Sequence, residues 1–410
     1  MTTSDQPSPS GTPARPLASG LAATWAAQTM GTIAVFGVPV LAPVIAPEMG
    51  IHATLVGLYV SMVYLTGQVT GLLTGGFIER YGALRLSQVS CIMAAAGIFL
   101  LFPASPWLAV FAALAMGTCY GPLNPTSSAI LRGLGSDRYQ PLIFSIKQTG
   151  VPVAGVIVGT ALPALTVAFG WRWAFGIFAV VSLAVAVALQ PLRETFDHAR
   201  RRDGGRPEFR IVEPLKLILK HPPLRATAFI GFALAGSQIC VASFFVLYLI
   251  QAQGYSLVDA GLIYAAVQGG GVVGRVMWGA VAKQVFTPVG VLIGVSIVIC
   301  GLFVAVALMT SDWPYWAVIG VSLALGACSF GWNGVWLSEI ADLAPDNRVG
   351  DVTGGGQFLM FGGVTALPPL FAVLVNWQDG YRMPFIAAGV FVLLVAGYLA
   401  LVRWGARGQG

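Results

Sequence analysis

Apolar runs of roughly 20 residues or more recur twelve times along this chain, and that recurrence restricts the fold more than any other feature. A run of that length crosses a hydrocarbon core of about 30 Å as a helix. Inside lipid every backbone N–H and C=O must be bonded within a helix or a closed barrel, so only those two architectures remain. The runs are continuous rather than alternating, which excludes barrel strands. They fall near residues 20–46, 53–74, 84–103, 107–131, 142–168 and 172–191, then 224–251, 258–281, 287–310, 314–341, 351–375 and 382–403. The expectation is an all-α membrane protein of twelve transmembrane helices.

Composition narrows the function. Charged residues make up 9% and apolar residues 57% of the chain, against about 25% charged in a soluble domain. A soluble enzyme, a nucleic-acid binder and a disordered chain are excluded. The net charge of +6 is therefore sorted by membrane side, because inside-facing connections collect Lys and Arg. One set of connections holds Arg80 and Arg85, Arg132 and Arg138, the segment Arg193–Lys220, Lys283 and Arg348, with Arg15, Arg403 and Arg407 at the termini. The opposite set holds Arg172 and Arg382. Both termini and the central connection are thus expected in the cytoplasm.

The expected organisation is a cytoplasmic tail over 1–16, a six-helix half over 17–192, a linker over 193–222, a second six-helix half over 223–404 and a tail over 405–410. The linker carries eight basic and five acidic residues between Arg193 and Lys220, with the cluster Arg200, Arg201 and Arg202. Such a segment reads as a tether attracted to anionic headgroups. The five cysteines all lie within apolar runs and the three histidines outside them. Neither a zinc site nor a disulfide framework follows from those positions, and no catalytic residue, metal or cofactor is expected.

The halves repeat each other. Gly170-Trp171-Arg172-Trp173-Ala174-Phe175 opens the sixth run, and Gly380-Tyr381-Arg382-Met383-Pro384-Phe385 opens the twelfth. Gly75-Gly76-Phe77-Ile78-Glu79 after the second run likewise matches Gly279-Ala280-Val281-Ala282-Lys283 after the eighth. Two parallel six-helix repeats form the architecture of one large transporter class.

The segment Gly75-Gly76-Phe77-Ile78-Glu79-Arg80-Tyr81-Gly82-Ala83-Leu84-Arg85 resembles the signature between the second and third helices of the major facilitator superfamily. Glu79 stands where Asp is usual, and Arg85 alone remains of the basic tail. Gly150-Val151-Pro152-Val153-Ala154-Gly155 with Gly159 is similar to that superfamily's fifth-helix motif. Trp332-Asn333-Gly334-Val335-Trp336-Leu337-Ser338-Glu339 is similar to a stretch of its bacterial members. The resemblance implies two pseudo-symmetric six-helix halves and alternating access around a midplane site. It also implies a location in the cytoplasmic membrane of a bacterium. Gly75, Glu79, Arg80, Gly82 and Arg85 would then form a cytoplasmic latch between the halves. The resemblance further implies a monomer in the bilayer whose partners are a small-molecule substrate and a coupling ion, a proton or a counter-anion. No nucleic-acid partner is expected.

Within the runs only Lys147 and Arg275 are clearly placed charges, and no acid lies deep. A charge at mid-span costs roughly 2.5–3.5 kcal/mol on insertion scales, so each needs a partner or a function. Arg275 lies about 12 Å of helix rise before Lys283. It can bind an anion, or it can pair with carbonyls or an inner-end acid. Its position resembles an eighth-helix arginine of monocarboxylate and oxalate carriers, with Gly271 where many of those carry an Asp. Lys147 can bind an anion or reach back to the surface. Gln148 resembles the fifth-helix glutamine of facilitative sugar carriers. Further candidates are Gln28, Asn124, Gln238, Tyr264, Gln268 and Asn333, each of which can equally bond helix to helix. Two positive charges and no deep acid point to a transporter of a small, carboxylate-like anion. The alternatives are a drug or cation exporter of the same superfamily and a transporter-like membrane sensor.

Overall fold

A computed structural model describes residues 14–132, 134, 140–198, 212–345 and 348–405. The N-terminal tail to residue 13, Arg138, the linker centre with Arg200, Arg201 and Arg202, and Arg407 lie outside the described residues. Among those described there is no strand, and twelve helices are long and apolar enough to cross a membrane. The first six spans are Pro16–Glu48, Ala53–Tyr81, Ala83–Leu101, Pro106–Leu131, Ile143–Phe169 and Trp171–Phe196. The second six are Pro222–Gln251, Leu257–Ala282, Pro288–Leu308, Tyr315–Asp342, Val349–Gln378 and Arg382–Trp404.

The packing repeats with the sequence. The second span lies against the fourth, the first against the fifth and the third against the sixth. Their counterparts pair identically: eighth with tenth, seventh with eleventh, ninth with twelfth. The halves meet where the first span touches the seventh, the second the eleventh and the fifth the eighth.

Glycine sets how close these helices come. A Cβ on Gly326 of the tenth span would overlap the Val267 carbonyl of the eighth, and one on Gly121 of the fourth would overlap the Gly67 carbonyl of the second. Small residues let backbones meet, and in lipid that contact replaces a hydrophobic drive between helices. Gly326→Ala is expected to lower the thermal unfolding midpoint of the purified protein, at a cost of about 1–3 kcal/mol from overpacking. An unchanged midpoint would show that the eighth and tenth spans separate freely.

Three spans break where polar residues cluster. The fourth is interrupted between Tyr120 and Leu123, the fifth at Thr149 and the tenth at Trp332. Pro122 cannot donate a main-chain hydrogen bond, which accounts for the first break. Pro152 acts similarly in the fifth span, leaving the Gln148 carbonyl without its donor four residues on. In the tenth span the side chains of Trp332 and Asn333 donate to the Ser329 and Phe330 carbonyls, at 2.9 and 3.4 Å. They compete there with the helical ladder.

The described ends of the central connection are docked. Arg193–Phe196 is helical, and the Asp197 carboxylate accepts from the Leu84 and Arg85 main-chain N–H groups at 2.9 and 3.1 Å. It therefore caps the third span, where an anion is favoured. Gly82 sits at φ 95°, and a Cβ there would overlap Asp197, so glycine is required twice over. On the other side, the helix Val212–Lys220 presses Pro214 and Ile218 onto Gly355 of the eleventh span.

At the end remote from the termini, Trp107, Trp316 and Trp377 are exposed, as an interfacial belt expects. Trp171 is buried instead. Its indole donates to Glu48 at 3.0 Å, and Arg172, paired with Glu48 at 2.8 Å, stacks over its ring.

Candidate functional site

The first span turns a polar face to the fifth. Thr24, Gln28, Thr29 and Thr32 are all buried on it. Trp25 Nε1 donates to Thr149 Oγ1 at 3.1 Å, and Thr29 Oγ1 to the Gly150 carbonyl at 3.4 Å. Lys147 enters this face. Its Nζ donates to Gln28 Oε1 at 2.7 Å and to Asn124 Oδ1 at 2.8 Å. Three spans thus converge on one ammonium.

Lys147 is 1% exposed, so it does not reach back to the surface. Gln28 is equally enclosed, whereas Asn124 is exposed and forms the open side of the triad. Among the described residues no carboxylate pairs with Lys147. An ammonium has three hydrogens, so two neutral amide oxygens leave one of them unused.

The second half carries a matching arrangement. Asn333 Nδ2 donates to Gln238 Oε1 at 3.3 Å, joining the tenth and seventh spans as Asn124 and Gln28 are joined in the fourth and first. Gln357, the repeat counterpart of Lys147, is exposed on the eleventh span and makes no hydrogen bond through its side chain. Sequence reading singled out Gln238 and Asn333 one at a time. The signal that groups them is the repeat itself, applied to polar residues rather than to motifs.

Arg275 is half-buried and lies between the halves. Its Nη1 donates to the Gln148 carbonyl at 3.1 Å and its Nε to the Phe330 carbonyl at 3.3 Å. The first acceptor is the carbonyl that Pro152 leaves free; the second lies beside the break in the tenth span. Carbonyl pairing, one of the two sequence readings, is what the geometry displays. The Gln148 side chain is exposed and makes no hydrogen bond, while only its main chain engages Arg275.

Tyr264 is fully buried, its hydroxyl accepting from Gln268 Nε2 at 2.7 Å. Gln268 packs against Gly155 of the fifth span, and its Oε1 is buried without a partner. Nearby in the sequence of contacts, Tyr64 of the second span meets Tyr120 edge-on at 5.6 Å and Phe361 of the eleventh at 6.2 Å. Tyr64, Tyr120 and Phe361 were not among the residues that sequence reading singled out, whereas Tyr264 was.

Three hydrogen bonds tie the second span to the eleventh span of the other half. Thr54 bonds Asn376 at 3.0 Å, Ser61 the Thr365 carbonyl at 2.6 Å and Gln68 the Phe358 carbonyl at 2.8 Å. All lie from the remote end to the middle. Further along the second span, a Cβ on Gly75 would meet nothing within 4 Å among the described residues, and Glu79 is exposed with no described partner. Arg80 lies over the Tyr81 ring at 5.3 Å. Arg85 bonds Gln88 at 3.2 Å. Among the described residues, no hydrogen bond or ion pair joins these latch residues to the second half. Toward the end that bears the termini, Arg275 still bonds the Gln148 carbonyl across the halves. Also at that end, the buried Glu339 pairs with Arg403 of the twelfth span.

A family model described as Major Facilitator Superfamily matches residues 24–364. A hexuronate transporter of Bacillus subtilis (strain 168) is 24% identical over 381 residues, spanning 89% of each chain. A probable sulfoacetate transporter of Cupriavidus necator is 24% identical over 388 residues, spanning 88% of each. The fosmidomycin resistance protein of Escherichia coli (strain K12) is 27% identical over 279 residues, or 66% of each. Among solved structures, a bacterial homologue of the human lysosomal transporter Spinster, inward-facing and occupied, superposes with a TM-score of 0.73. That match has 15% identity and covers 96% of this chain and 98% of the other, a likeness of fold.

Proposed function

The chain belongs to the Major Facilitator Superfamily, and on that premise we propose that it carries a small organic anion across the membrane by alternating access. One observation supports this reading above the others: Lys147 is enclosed at membrane depth with amide partners alone. A charged hydrogen bond is roughly twice as strong as a neutral one, so an arriving oxyanion gains at that ammonium what the amides cannot supply. Asn124, on the open side, would turn aside to admit it. The relatives named for hexuronate and sulfoacetate transport point the same way. The Lys and Arg asymmetry of the connections supports placing both termini in the cytoplasm of a bacterial cell. On that orientation the latch residues Gly75, Glu79, Arg80, Gly82 and Arg85 lie on the cytoplasmic side.

In this reading Arg275 adds positive field and holds two helix breaks in register. Arg275 meets the two carbonyls with two separate N–H groups of a rigid planar fork, a geometry that a point-charge ammonium does not reproduce. Arg275→Lys is expected to slow exchange about tenfold, since a hydrogen bond to a charged group contributes about 1.5–3 kcal/mol, while anion affinity stays within about threefold. A matching loss of affinity would instead place the anion on the guanidinium. For the latch, Glu79→Gln and Arg80→Ala are expected to leave the unfolding midpoint unchanged, because neither residue has a partner across the halves here. Both should slow exchange by shifting the balance of states. Wild-type turnover in either variant would remove the latch role.

Counterflow in proteoliposomes tests the function directly, with a panel of radiolabelled carboxylates and sulfonates beside the organic cation ethidium. Exchange of an anion without exchange of the cation is the expected result. Cation exchange alone would overturn the reading and favour an exporter of the same superfamily.

A further inference from the structure

Three polar residues of the first half recur in the second at one spacing. Gln28 corresponds to Gln238, Asn124 to Asn333 and Lys147 to Gln357, at offsets of 210, 209 and 210 by subtraction of their numbers, like Trp171 and Tyr381 at 210. They stand on corresponding spans: first, fourth and fifth against seventh, tenth and eleventh. Residues related in this way occupy corresponding positions of the two repeats.

Two observations direct the second set toward the space between the halves. Gln357 is four residues before Phe361, so both occupy one helix face, and the Phe361 ring packs on Tyr64 of the opposite half at 6.2 Å. The adjacent Phe358 carbonyl accepts from Gln68, also of the opposite half, at 2.8 Å. Gln357 is exposed and without hydrogen bonds on that face. Asn333 and Gln238 are each half-buried and bonded to one another, which leaves one amide N–H₂ and one carbonyl oxygen with capacity for a ligand.

The two sets differ in charge and in how they are bonded: Lys147 bridges Gln28 and Asn124, whereas Gln238 and Asn333 bond each other and Gln357 stands exposed. We propose that Gln238, Asn333 and Gln357 form the second wall of a composite site, holding the uncharged hydrogen-bonding end of a small oxyanion whose charge is held at Lys147. The substrate class is then an acid bearing hydroxyl or carbonyl groups remote from its charge, rather than an alkyl anion. An alkyl chain placed against this wall would leave its amides unpaired, and sites built to bond a polar group reject analogues that lack it. The inference rests on the anion reading above and adds the second wall and the substrate's second end.

The test uses the purified full-length protein, with binding of D-glucuronate and of hexanoate as probes of equal carbon count. Wild-type protein is expected to bind glucuronate at least tenfold more tightly than hexanoate. Gln357→Ala should weaken glucuronate about threefold to tenfold, the worth of one or two neutral hydrogen bonds. Lys147→Gln should remove binding, and adding Gln357→Lys to it should restore at least tenfold, because the charge can enter from either wall. Unfolding midpoints confirm that each variant is folded. Equal affinity for the two probes, or no wild-type binding of glucuronate, overturns the substrate class. A silent Gln357→Ala together with no recovery in the double variant overturns the composite site while leaving the anion reading intact. Unchanged glucuronate binding in Lys147→Gln removes the anion reading itself.

Discussion

Lys147→Ala is expected to reduce anion exchange at least about 100-fold, roughly 3 kcal/mol, while the protein still inserts and folds. The loss follows from removing an enclosed ammonium that no other described cation replaces. The survival of the fold follows from the second half. There, Asn333 and Gln238 bond directly without a lysine between them, at 3.3 Å. Asn124 is exposed and its amide stays solvated, and the Gln28 amide keeps its bond to Thr32, so the variant strands no charge. An unfolding midpoint within a few degrees of wild type, measured beside counterflow, separates lost binding from lost structure. Exchange at the wild-type rate would mean that the anion is held elsewhere.

The second large effect concerns stability. Glu339 is nearly enclosed, with its side chain 6% exposed, and its partner Arg403 is 24% exposed. Removing one member of a buried pair leaves the other uncompensated, which costs 3–5 kcal/mol. Arg403 is near a helix end and can turn partly toward water, so Glu339→Ala is expected at the lower limit, about 3 kcal/mol. The measurable result is a lower unfolding midpoint and a smaller folded yield from the membrane. Glu339→Ala combined with Arg403→Met should recover most of the loss, because the stranded charge is gone. A double variant no better than the single one would place the cost in packing around Trp336 and Ile340 instead. Substrate affinity should stay unchanged throughout, since the pair lies away from Lys147 in sequence and joins the tenth span to the twelfth.

The residues differ in how far the sequence alone reveals them. Lys147 and Arg275 stand out because a charge in an apolar run is costly, and both are where sequence reading located them. Their partners are a different matter. Arg275 bonds two main-chain carbonyls, and a carbonyl has no residue identity to read; only Pro152, by depriving Gln148 of a donor, leaves a trace of one. Gln28 and Asn124 were legible as polar residues, but not as a pair bridged by one lysine from a third span. The surroundings of Trp171 were not legible at all: it stands at a span end like the exposed Trp107, Trp316 and Trp377, yet Glu48 and Arg172 draw it into the protein.

The sequence by itself determined the twelve helices, their division into two repeats and the positions of the charges, because these depend on local quantities. A run's length against the bilayer thickness, its hydropathy and the offset between copies all involve neighbours along one chain. Tertiary structure alone decided which polar groups meet, that Lys147 is enclosed rather than surface-reaching, and that no described hydrogen bond or ion pair ties Glu79 and Arg80 to the other half. Those outcomes depend on helix rotation and approach, set by contacts such as Gly326 on Val267 and Gly155 on Gln268, between segments tens to more than a hundred residues apart. In lipid, hydropathy drives each helix into the bilayer but does not distinguish one apolar face from another. The choice among faces is left to close packing and to a few hydrogen bonds, and these exist only once the helices have assembled.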